Sequence, residues 1–525
     1  MRPILERLGA YLPPVIAVAI PTVFIPNTSD EFILPRASIV VIGACLGTGL
    51  ALLSPGGPGL GSLRLPLLAA ALAALLSFAF SVSWPLSLAG AYTRYESLPV
   101  RLGYLGLLAV PVWLLRSERS RTWVPAAFVF GTSVASLEAM WQAAGGVNFR
   151  PDGNLGNANL LGALIAMALP LAVARGLRGD QFLVAWWLGV AVMAGGLYVS
   201  TSRSGGLGAL AGCLALVVFA FGRRRWVGVS IVGAGAVVAA ALWAIVFGPL
   251  GKLNNDPARS RLLLWPDALH MIAARPITGW GEDATGLALG RYISADWAPG
   301  VTYDRTHSGL LETAATQGIV GLAALGWVLV TLFRGIWRYR FSDSVAALGA
   351  ACIGYTVWVA FNFDWAPATG AFWLLAGTAW AGVRAAETES AGPVVGEPRS
   401  SSAARTVGAL GLAMAAIWLG VMPVLAEAWS WHGRSDLAVK VDPLQTQYHW
   451  NLGYSRLNTG DLRGAVAELQ RATDLGATEP QVYIDLGDAE LKLGDRAAAR
   501  RAYERALFID PYSAAAHQRL ASLGA

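Results

Sequence analysis

The chain has 525 residues, 55% of them hydrophobic and 14% charged, and a formal net charge of +6. Soluble domains carry roughly 25% charged residues, so this composition excludes an ordinary soluble protein and indicates a membrane protein. The net positive charge does not indicate a nucleic-acid partner, because the arginines stand in short loops between apolar segments, where they set the topology.

Apolar runs of membrane length, about 20 residues each, recur from the N-terminus to residue 424. They predict an all-α fold with about 12–13 transmembrane helices. These helices are placed at 9–26, 34–53, 65–82, 98–115, 122–142, 159–176, 181–199, 206–222, 226–248, 318–337, 345–362, 368–384 and 404–424. The first lacks a small-residue cleavage site, so we expect a retained anchor and not a removed signal peptide.

Basic clusters predict which loops share a side of the membrane. They occur at 116–121, 175–180, 222–226 and 334–340, each between an even-numbered predicted helix and the odd-numbered helix after it. The positive-inside rule places these loops in the cytoplasm. The other loops then face outward; they are 83–97, 145–159, 200–206 and the stretch 249–317. With an odd number of spans, the C-terminal part of the chain also lies outside.

The outward stretch 249–317 is long for a loop between spans. Within it, "RSRLLLWPDALHMIAARP" (259–276) predicts an amphipathic helix lying along the membrane surface, and "ITGWGED" (277–283) predicts a glycine turn. Long loops without a domain of their own are usually functional. We therefore expect functional residues on the outward side.

A change in composition divides the chain into four segments. Residues 1–384 form the predicted membrane domain, 385–403 a polar linker, 404–424 the last transmembrane helix and 430–525 a domain of soluble character. This order predicts a membrane domain joined to a second, separate domain.

The last segment contains an internal repeat. Ala465 recurs as Ala499, and Ala472 as Ala506, at an offset of 34 residues, and the pair Leu-Gly at 452–453 recurs at the same offset. This pattern resembles the tetratricopeptide repeat, a helix–turn–helix unit of that period. Repeats are predicted at about 446–479 and 480–513, forming an α-solenoid. Such arrays present a concave surface to peptides or partner proteins.

The cysteines and histidines do not indicate a disulfide framework or a metal centre. Cys45, Cys213 and Cys352 all fall inside predicted helices. No carboxylate or second histidine stands at metal-ligand spacing from His307, although histidine is a common ligand. We therefore predict no metal and no cofactor.

Arginine recurs on the outward side, where a positive-inside protein is sparing with it. The outward arginines include Arg94, Arg150, Arg203, Arg259, Arg261 and Arg305. A guanidinium group gives two parallel hydrogen bonds to phosphate oxygens and stays charged, so these residues indicate an anionic ligand. Two of them have plainer alternatives: Arg203 as a snorkelling interfacial arginine, and Arg261 as a charge that faces solvent or lipid headgroups.

Three further outward residues have roles that the sequence leaves open. His307 is either a packing residue or a group that transfers a proton or orients a ligand. Glu312 caps a helix, pairs with an arginine or faces a cavity. Asn157 is either a turn residue or a hydrogen-bond donor to a sugar.

Five outward segments resemble the O-antigen ligase and polymerase superfamily of bacterial membrane glycosyltransferases. They are "YTRYESL" (92–98), "GNLGNANLLG" (153–162), "SRSGG" (202–206), "RLLLWPDALHMIAARPITGWG" (261–281) and "THSGLLETAATQGIVGL" (306–322). Their order, spacing and sidedness agree with the family. One departure is the serine after His307, where many members carry asparagine, and it concerns substrate contacts.

The resemblance implies a metal-independent glycosyltransferase fold of the type that uses polyprenyl phosphates. Its members move a glycan from undecaprenyl diphosphate to an acceptor hydroxyl at the outer face of the plasma membrane. It implies that Arg203, Arg261 and His307 are catalytic, and that the active site is extracytoplasmic. The predicted topology places the repeat domain on the same side. Further candidates are Arg94, Arg259 and Arg305 for the donor diphosphate, and Asn157 and Glu312 for the glycan or the acceptor.

Other functions remain open at this stage. A polymerase would use a second lipid-linked glycan as acceptor, and a protein O-oligosaccharyltransferase would use a hydroxyl amino acid. A transporter of lipid-linked glycan would place ionisable residues near the membrane midplane. A membrane-anchored scaffold would use only the repeat array and would leave the outward arginines unexplained.

Overall fold

The structure is a computed structural model that describes residues 2–54, 56–179, 181–220, 257–297, 300–391 and 402–524. Within these ranges the regular secondary structure is helical, without strands. The predicted all-α fold is therefore confirmed.

The helices before the predicted linker make up the membrane domain. They are α1 (Arg2–Thr22), α2 (Ile33–Leu53), α3 (Arg64–Ala79), α4 (Trp84–Ala89), α5 (Leu98–Leu114), α6 (Glu118–Ala144), α7 (Ala158–Arg178), α8 (Leu183–Ser200), α9 (Arg203–Ala220), α10 (Pro257–Ala274), α11 (Gly309–Arg338), α12 (Asp343–Val359) and α13 (Ala366–Ala391). Most of α7 is buried by its neighbours, so it is the central helix of the bundle.

Within the described residues, eight helices are long and apolar enough to cross a membrane. They are α1, α2, α3 with the turn before it, α6, α7, α8, α11 and the stretch Ser402–Trp431. Three shorter apolar helices, α5, α9 and α12, coincide with predicted spans, as does α13. The remaining predicted helix, 226–248, lies outside the described residues. The chain is thus a multi-pass membrane protein.

Helix α11 is broken at Gly318, whose φ of 65° and ψ of −162° are not helical. The predicted glycine turn packs against this break and replaces the lost hydrogen bonds: the Ile319 amide donates to the Pro276 carbonyl (2.8 Å), and the Trp280 amide donates to the Ala315 carbonyl (2.8 Å). Irregular backbone at membrane depth requires such partners. The hydrogen bonds at the break therefore hold the glycine turn (277–283) against the first part of α11, which directly follows the loop of His307.

Gly318→Ala will destabilise the protein by roughly 2 kcal/mol or more, because an L-residue does not adopt this backbone conformation without strain. A Cβ atom would also overlap the Ile277 carbonyl. Thermal unfolding in detergent measures the effect as a lower Tm. The matched control is Gly326→Ala, since a Cβ at Gly326 meets nothing within 4 Å; equal Tm values for the two variants would contradict the prediction.

The C-terminal part of the chain begins with a long helical stretch and continues as paired short helices. These are α14 (Ser402–Ala416), a π-helical turn (Ile417–Val421), α15 (Met422–Trp431), α16 (Ser435–Val441), α17 (Thr446–Thr459), α18 (Leu462–Asp474), α19 (Pro480–Lys492), α20 (Arg496–Ile509) and α21 (Ala514–Gly524). Small residues lie where paired helices approach: Gly453 packs on Leu469, and Gly487 on Tyr503. The α17–α18 and α19–α20 pairs match the two predicted repeats.

The repeat array docks on one end of the membrane domain. Glu427, in α15, accepts hydrogen bonds from the Asp30 amide (3.0 Å) and from the hydroxyls of Tyr92 (2.9 Å) and Tyr448 (3.1 Å). The Ser83 hydroxyl donates to the Leu475 carbonyl at 3.0 Å. One carboxylate thus joins the last membrane helix to two loops and to α17.

Candidate active site

The loop between α12 and α13 contacts predicted site residues from three distant parts of the chain. The His307 ring meets the Phe363 ring edge-on at 5.4 Å, and the Arg94 guanidinium lies 5.3 Å from the centre of the same ring. Arg261 Nη1 donates to the Phe361 carbonyl at 2.9 Å. The fold therefore brings Arg94, Arg261 and His307 together at one end of the bundle.

Arg150 joins this group from the loop between α6 and α7. Its guanidinium donates to the Ser200 carbonyl (2.9 Å), the Thr201 hydroxyl (3.0 Å) and the Asn159 side chain (3.3 Å). Burial and the charge of Arg203 lower the pKa of Arg150. Arg203, the first residue of α9, thus lies within electrostatic range of Arg150.

Arg261 and His307 extend the same group. Burial and the charge of Arg150 lower the pKa of Arg261. Burial, and then the charge of Arg261, lower the pKa of His307 to about 4. We call Arg150, Arg203 and Arg261 the arginine cluster. Arg150 is within electrostatic range of the other two, and Arg261 is within electrostatic range of the neutral imidazole of His307.

Two members of the arginine cluster lack an acidic partner in the part of the chain that the structure describes. Arg150 and Arg261 form no salt bridge there and donate only to carbonyl, hydroxyl and amide oxygens. Arg261 is half-buried and Arg150 is exposed, so both guanidinium groups are accessible to a ligand, and guanidinium groups bind phosphate in bidentate geometry. This arrangement suits an anionic ligand with adjacent phosphate groups.

Arg305 lies in a different environment, because carboxylates neutralise it. It is buried, it forms an ion pair with Asp283, and its Nη1 donates to Glu312 Oε1 at 3.0 Å. Glu312 also accepts hydrogen bonds from the hydroxyls of Thr285 (2.8 Å) and Thr306 (3.0 Å). Of the roles that the sequence left open for Glu312, the structure shows pairing with an arginine. Arg305 and Glu312 hold the loop of His307 in place, and their predicted contacts with substrate stay predictions.

Arg94 is intermediate between Arg305, which carboxylates neutralise, and the members of the arginine cluster that lack an acidic partner among the described residues. Its Nε donates to Asp304 Oδ2 at 2.6 Å, and its guanidinium lies 4.9 Å from the centre of the Trp365 ring. The side chain keeps 24% of its surface exposed. Arg94 is thus paired with a carboxylate and partly exposed.

The remaining predicted residues are less central. Asn157 caps α7, since its side-chain oxygen accepts a hydrogen bond from the Asn159 amide at 2.8 Å. This geometry agrees with the turn alternative, and a contact with sugar stays a prediction. Arg259 lies on α10, but its side chain is outside the described residues.

A buried acidic network below the site was not predicted from the sequence. The Arg101 guanidinium donates to Glu282 (3.4 Å) and to Asp364 (2.8 Å), and the Tyr104 hydroxyl donates to Glu96 at 2.6 Å. Burial raises the pKa of Glu96 to about 7. The available signal was that Glu96 and Asp364 each stand two residues before an apolar helix, whereas Glu282 lies in the predicted glycine turn. The network ties the turn after α10 to α5 and α13.

Several residues around the site have a backbone conformation that is rare outside glycine. Positive φ angles occur at Thr93 (65°), Tyr95 (55°), Thr201 (51°), Asp283 (60°) and His307 (53°). Such residues cost free energy and persist where the surrounding contacts fix them, often at functional sites. The loops that carry Arg94 and His307 are thus held in defined positions.

The described residues contain no group of three or more His, Cys, Asp or Glu side chains placed to hold a metal ion. The three cysteines are free, two of them buried and one half-buried. The positive charge described at this site is supplied by guanidinium groups.

The fold and the site define a class of protein: a polytopic helical membrane protein with a cationic site at one end of the bundle and a helical repeat array docked there. Residues 188–326 match the model of the O-antigen ligase family, and residues 480–523 match a tetratricopeptide repeat. The chain therefore carries an O-antigen ligase domain and a tetratricopeptide repeat, as the resemblance predicted. No curated protein matches the chain.

The family match covers part of the site. Arg203, Arg261, Arg305, His307 and Glu312 lie within 188–326, whereas Arg94, Arg150 and Asn157 lie before it. The match supports a membrane enzyme of the O-antigen ligase or polymerase type. Arg150 was one of the outward arginines in the sequence, but the resemblance gave it no role, and its place in the site rests on its contacts in the structure.

Proposed function

We propose that the protein transfers a glycan from undecaprenyl diphosphate to an acceptor hydroxyl at the outer face of the plasma membrane. The observation that carries this proposal is the pair Arg150 and Arg261, which lack acidic partners among the described residues and stand beside neutral His307. The O-antigen ligase match over this region supports it.

In the proposed reaction, the acceptor oxygen attacks the anomeric carbon of the donor glycan, and configuration inverts. The bond between that carbon and the diphosphate oxygen breaks, and the diphosphate leaves with the electron pair. The arginine cluster stabilises the negative charge that develops on the leaving group, and fixed donors of this kind are often the largest catalytic contribution. His307 takes the proton from the acceptor hydroxyl.

The environment of His307 suits the role of proton acceptor. Because its pKa is lowered to about 4, the imidazole of the free enzyme is neutral at neutral pH. Binding of the anionic donor beside Arg261 offsets the positive charge that lowers this pKa. The pKa of His307 therefore rises in the donor complex, which makes the imidazole a stronger base when the reaction begins.

The pH dependence of transfer follows from this shift. A lowered pKa keeps His307 neutral at acidic pH, so kcat/KM for the donor will stay level down to about pH 5 and fall near pH 4 as the imidazole is protonated. Initial rates across this range measure it, with recovery of activity at neutral pH as the control for unfolding. A fall centred on the ordinary histidine pKa of 6.5 would contradict the assignment.

We also propose that the site and the repeat array face outward. The basic clusters support this, because the positive-inside rule assigns them to the cytoplasm. An impermeant maleimide applied to spheroplasts will label Val301→Cys, whose native side chain is 56% exposed beside the site. It will not label Glu118→Cys, the first residue of α6 and part of the basic cluster 116–121, until the membrane is permeabilised. The reverse pattern would place the site in the cytoplasm.

Two relatives of this reaction share its donor chemistry. A polymerase uses a lipid-linked glycan as acceptor, and a protein O-oligosaccharyltransferase uses a hydroxyl amino acid. Both would need the same arginine cluster and His307. The acceptor that supports transfer in the purified system distinguishes them.

The test is a transfer assay with purified protein, labelled undecaprenyl-diphosphate glycan and a metal chelator. Wild type will release undecaprenyl diphosphate only when an acceptor is added, and His307→Ala and Arg203→Ala will lose this activity. Arg338→Ala is the matched control, because Arg338 lies in the last turn of α11, at the opposite end of that helix from His307. Movement of intact donor across a vesicle membrane, without release, would favour a transporter.

A further inference from the structure

A pocket of about 300 Å³ lies between the membrane domain and the repeat array. Tyr92 and Thr93 line it from the loop before α5, and Gln447, Trp450, Thr478 and Glu479 line it from the array. Its volume is at the lower end of the range for small-ligand pockets. The two parts of the chain form this pocket only together.

The pocket adjoins the candidate active site. Thr93 precedes Arg94 in the chain, and its carbonyl accepts a hydrogen bond from Trp365 Nε1 at 3.2 Å. Desolvation and the charge of Asp304 raise the pKa of Glu479, while Arg94 lowers it. Glu479 is therefore within electrostatic range of the Arg94–Asp304 pair, and that pair lies beside His307.

The lining combines groups that bind sugars and disfavour phosphates. Tyr92 and Trp450 offer aromatic surface with a polar end, and both are held in place, Tyr92 by Glu427 and Trp450 by a 2.7 Å hydrogen bond from its indole to Asp485. Threonine hydroxyls and the Gln447 amide offer donors and acceptors for sugar hydroxyls. The carboxylate of Glu479 repels a phosphate group.

The two ligand sites have different charge. The arginine cluster suits the diphosphate of the donor, whereas the pocket carries an acid and suits a neutral or cationic ligand. The pKa of His307 responds to charges on both sides. Arg261 belongs to the arginine cluster, and Arg94 and Asp304 lie toward the pocket. An acceptor held in the pocket would thus approach His307 without competing for the diphosphate site.

We infer that the pocket binds a sugar residue of the acceptor, so that the acceptor is a glycan that the repeat array holds against the active site. That the bound sugar belongs to the acceptor rests on the proposed function. Binding of sugar in the pocket does not depend on transfer. It also gives the repeat array a role in selecting substrate.

Binding is tested by saturation-transfer NMR on the full chain in amphipol, with free glucose, galactose, mannose and N-acetylglucosamine as probes. We expect at least one of these sugars to bind, and Gln447→Ala and Glu479→Gln to weaken its binding at least fivefold. The matched control is Gln470→Ala, an exposed glutamine of α18 outside the pocket, which will bind as wild type does. No binding by any sugar, or equal binding by the pocket variants, would overturn the inference.

A second measurement separates this inference from the proposed function. In the transfer assay, the pocket variants will raise the KM for a glycan acceptor about tenfold and leave the KM for the donor unchanged. A raised donor KM would count against the inference. Transfer to a peptide acceptor at a rate that the pocket variants leave unchanged would also count against it. If wild type binds sugar through the pocket but transfers nothing, the pocket assignment stands and the proposed function fails.

Discussion

Arg261→Ala and Arg150→Ala will each lower the rate of glycan transfer by roughly 100- to 1,000-fold, the loss expected when one fixed donor to a developing negative charge is removed. Both guanidinium groups lack acidic partners among the described residues, so the leaving diphosphate is their counter-charge in the proposed reaction. Release of undecaprenyl diphosphate at saturating donor measures the effect.

Two further variants sharpen this prediction. Arg261→Lys keeps the charge but loses the planar fork, so its rate will fall between those of wild type and Arg261→Ala. Arg338→Ala removes one positive charge at the opposite end of α11 and will keep the wild-type rate. If Arg150→Ala is as active as wild type while Arg203→Ala is inactive, Arg150 does not contact the diphosphate.

Arg305→Ala will destabilise the protein by about 3–5 kcal/mol, the usual result of removing one partner from a buried ion pair. The substitution leaves Asp283 and Glu312 buried without their counter-charge. The loss appears as a lower Tm and as aggregation on size-exclusion chromatography. Arg94→Ala is the matched control and will cost less, because the Arg94 side chain is 24% exposed.

A compensating substitution keeps the Arg305 prediction falsifiable even if the single variant fails to fold. Adding Glu312→Gln to Arg305→Met removes one of the orphaned charges, and replacing a buried ion pair by uncharged groups is often tolerated. The double variant will therefore have a higher Tm than Arg305→Met alone. Equal Tm values would show that the Arg305–Glu312 contact does not stabilise the loop of His307.

The global features of this fold follow from local sequence patterns. Apolar runs of about 20 residues can only be helices in a membrane, and the 34-residue offset between Ala465 and Ala499 fixes the repeat. The second repeat is confirmed by the family match at 480–523. The domain boundaries drawn from composition stay predictions.

The break in α11 could not be predicted from the sequence. Glycine is common inside membrane helices, so Gly318 carries no signal of its own. The break depends on Pro276 and its neighbours, which lie far away in the chain and supply the missing hydrogen bonds. Contacts of this kind appear only when the packing is known.

The candidate site was predictable in part. The positions of Arg203, Arg261 and His307 followed from sidedness and from the resemblance, whereas their catalytic roles stay predictions. Sequence alone does not separate arginines with acidic partners from arginines without them, so Arg305 ranked above Arg150. The structure distinguishes the two, because Asp283 and Glu312 neutralise Arg305, and neither an aspartate nor a glutamate is paired with Arg150 in the described part of the chain.

The measurement that tests the central claim most directly is a cryo-electron-microscopy structure of the His307→Ala variant with undecaprenyl-diphosphate glycan bound. We expect the diphosphate within hydrogen-bonding distance of Arg150, Arg203 and Arg261, with the first sugar directed toward position 307. A diphosphate bound at the opposite end of the bundle, or held without the arginine cluster, would contradict the account.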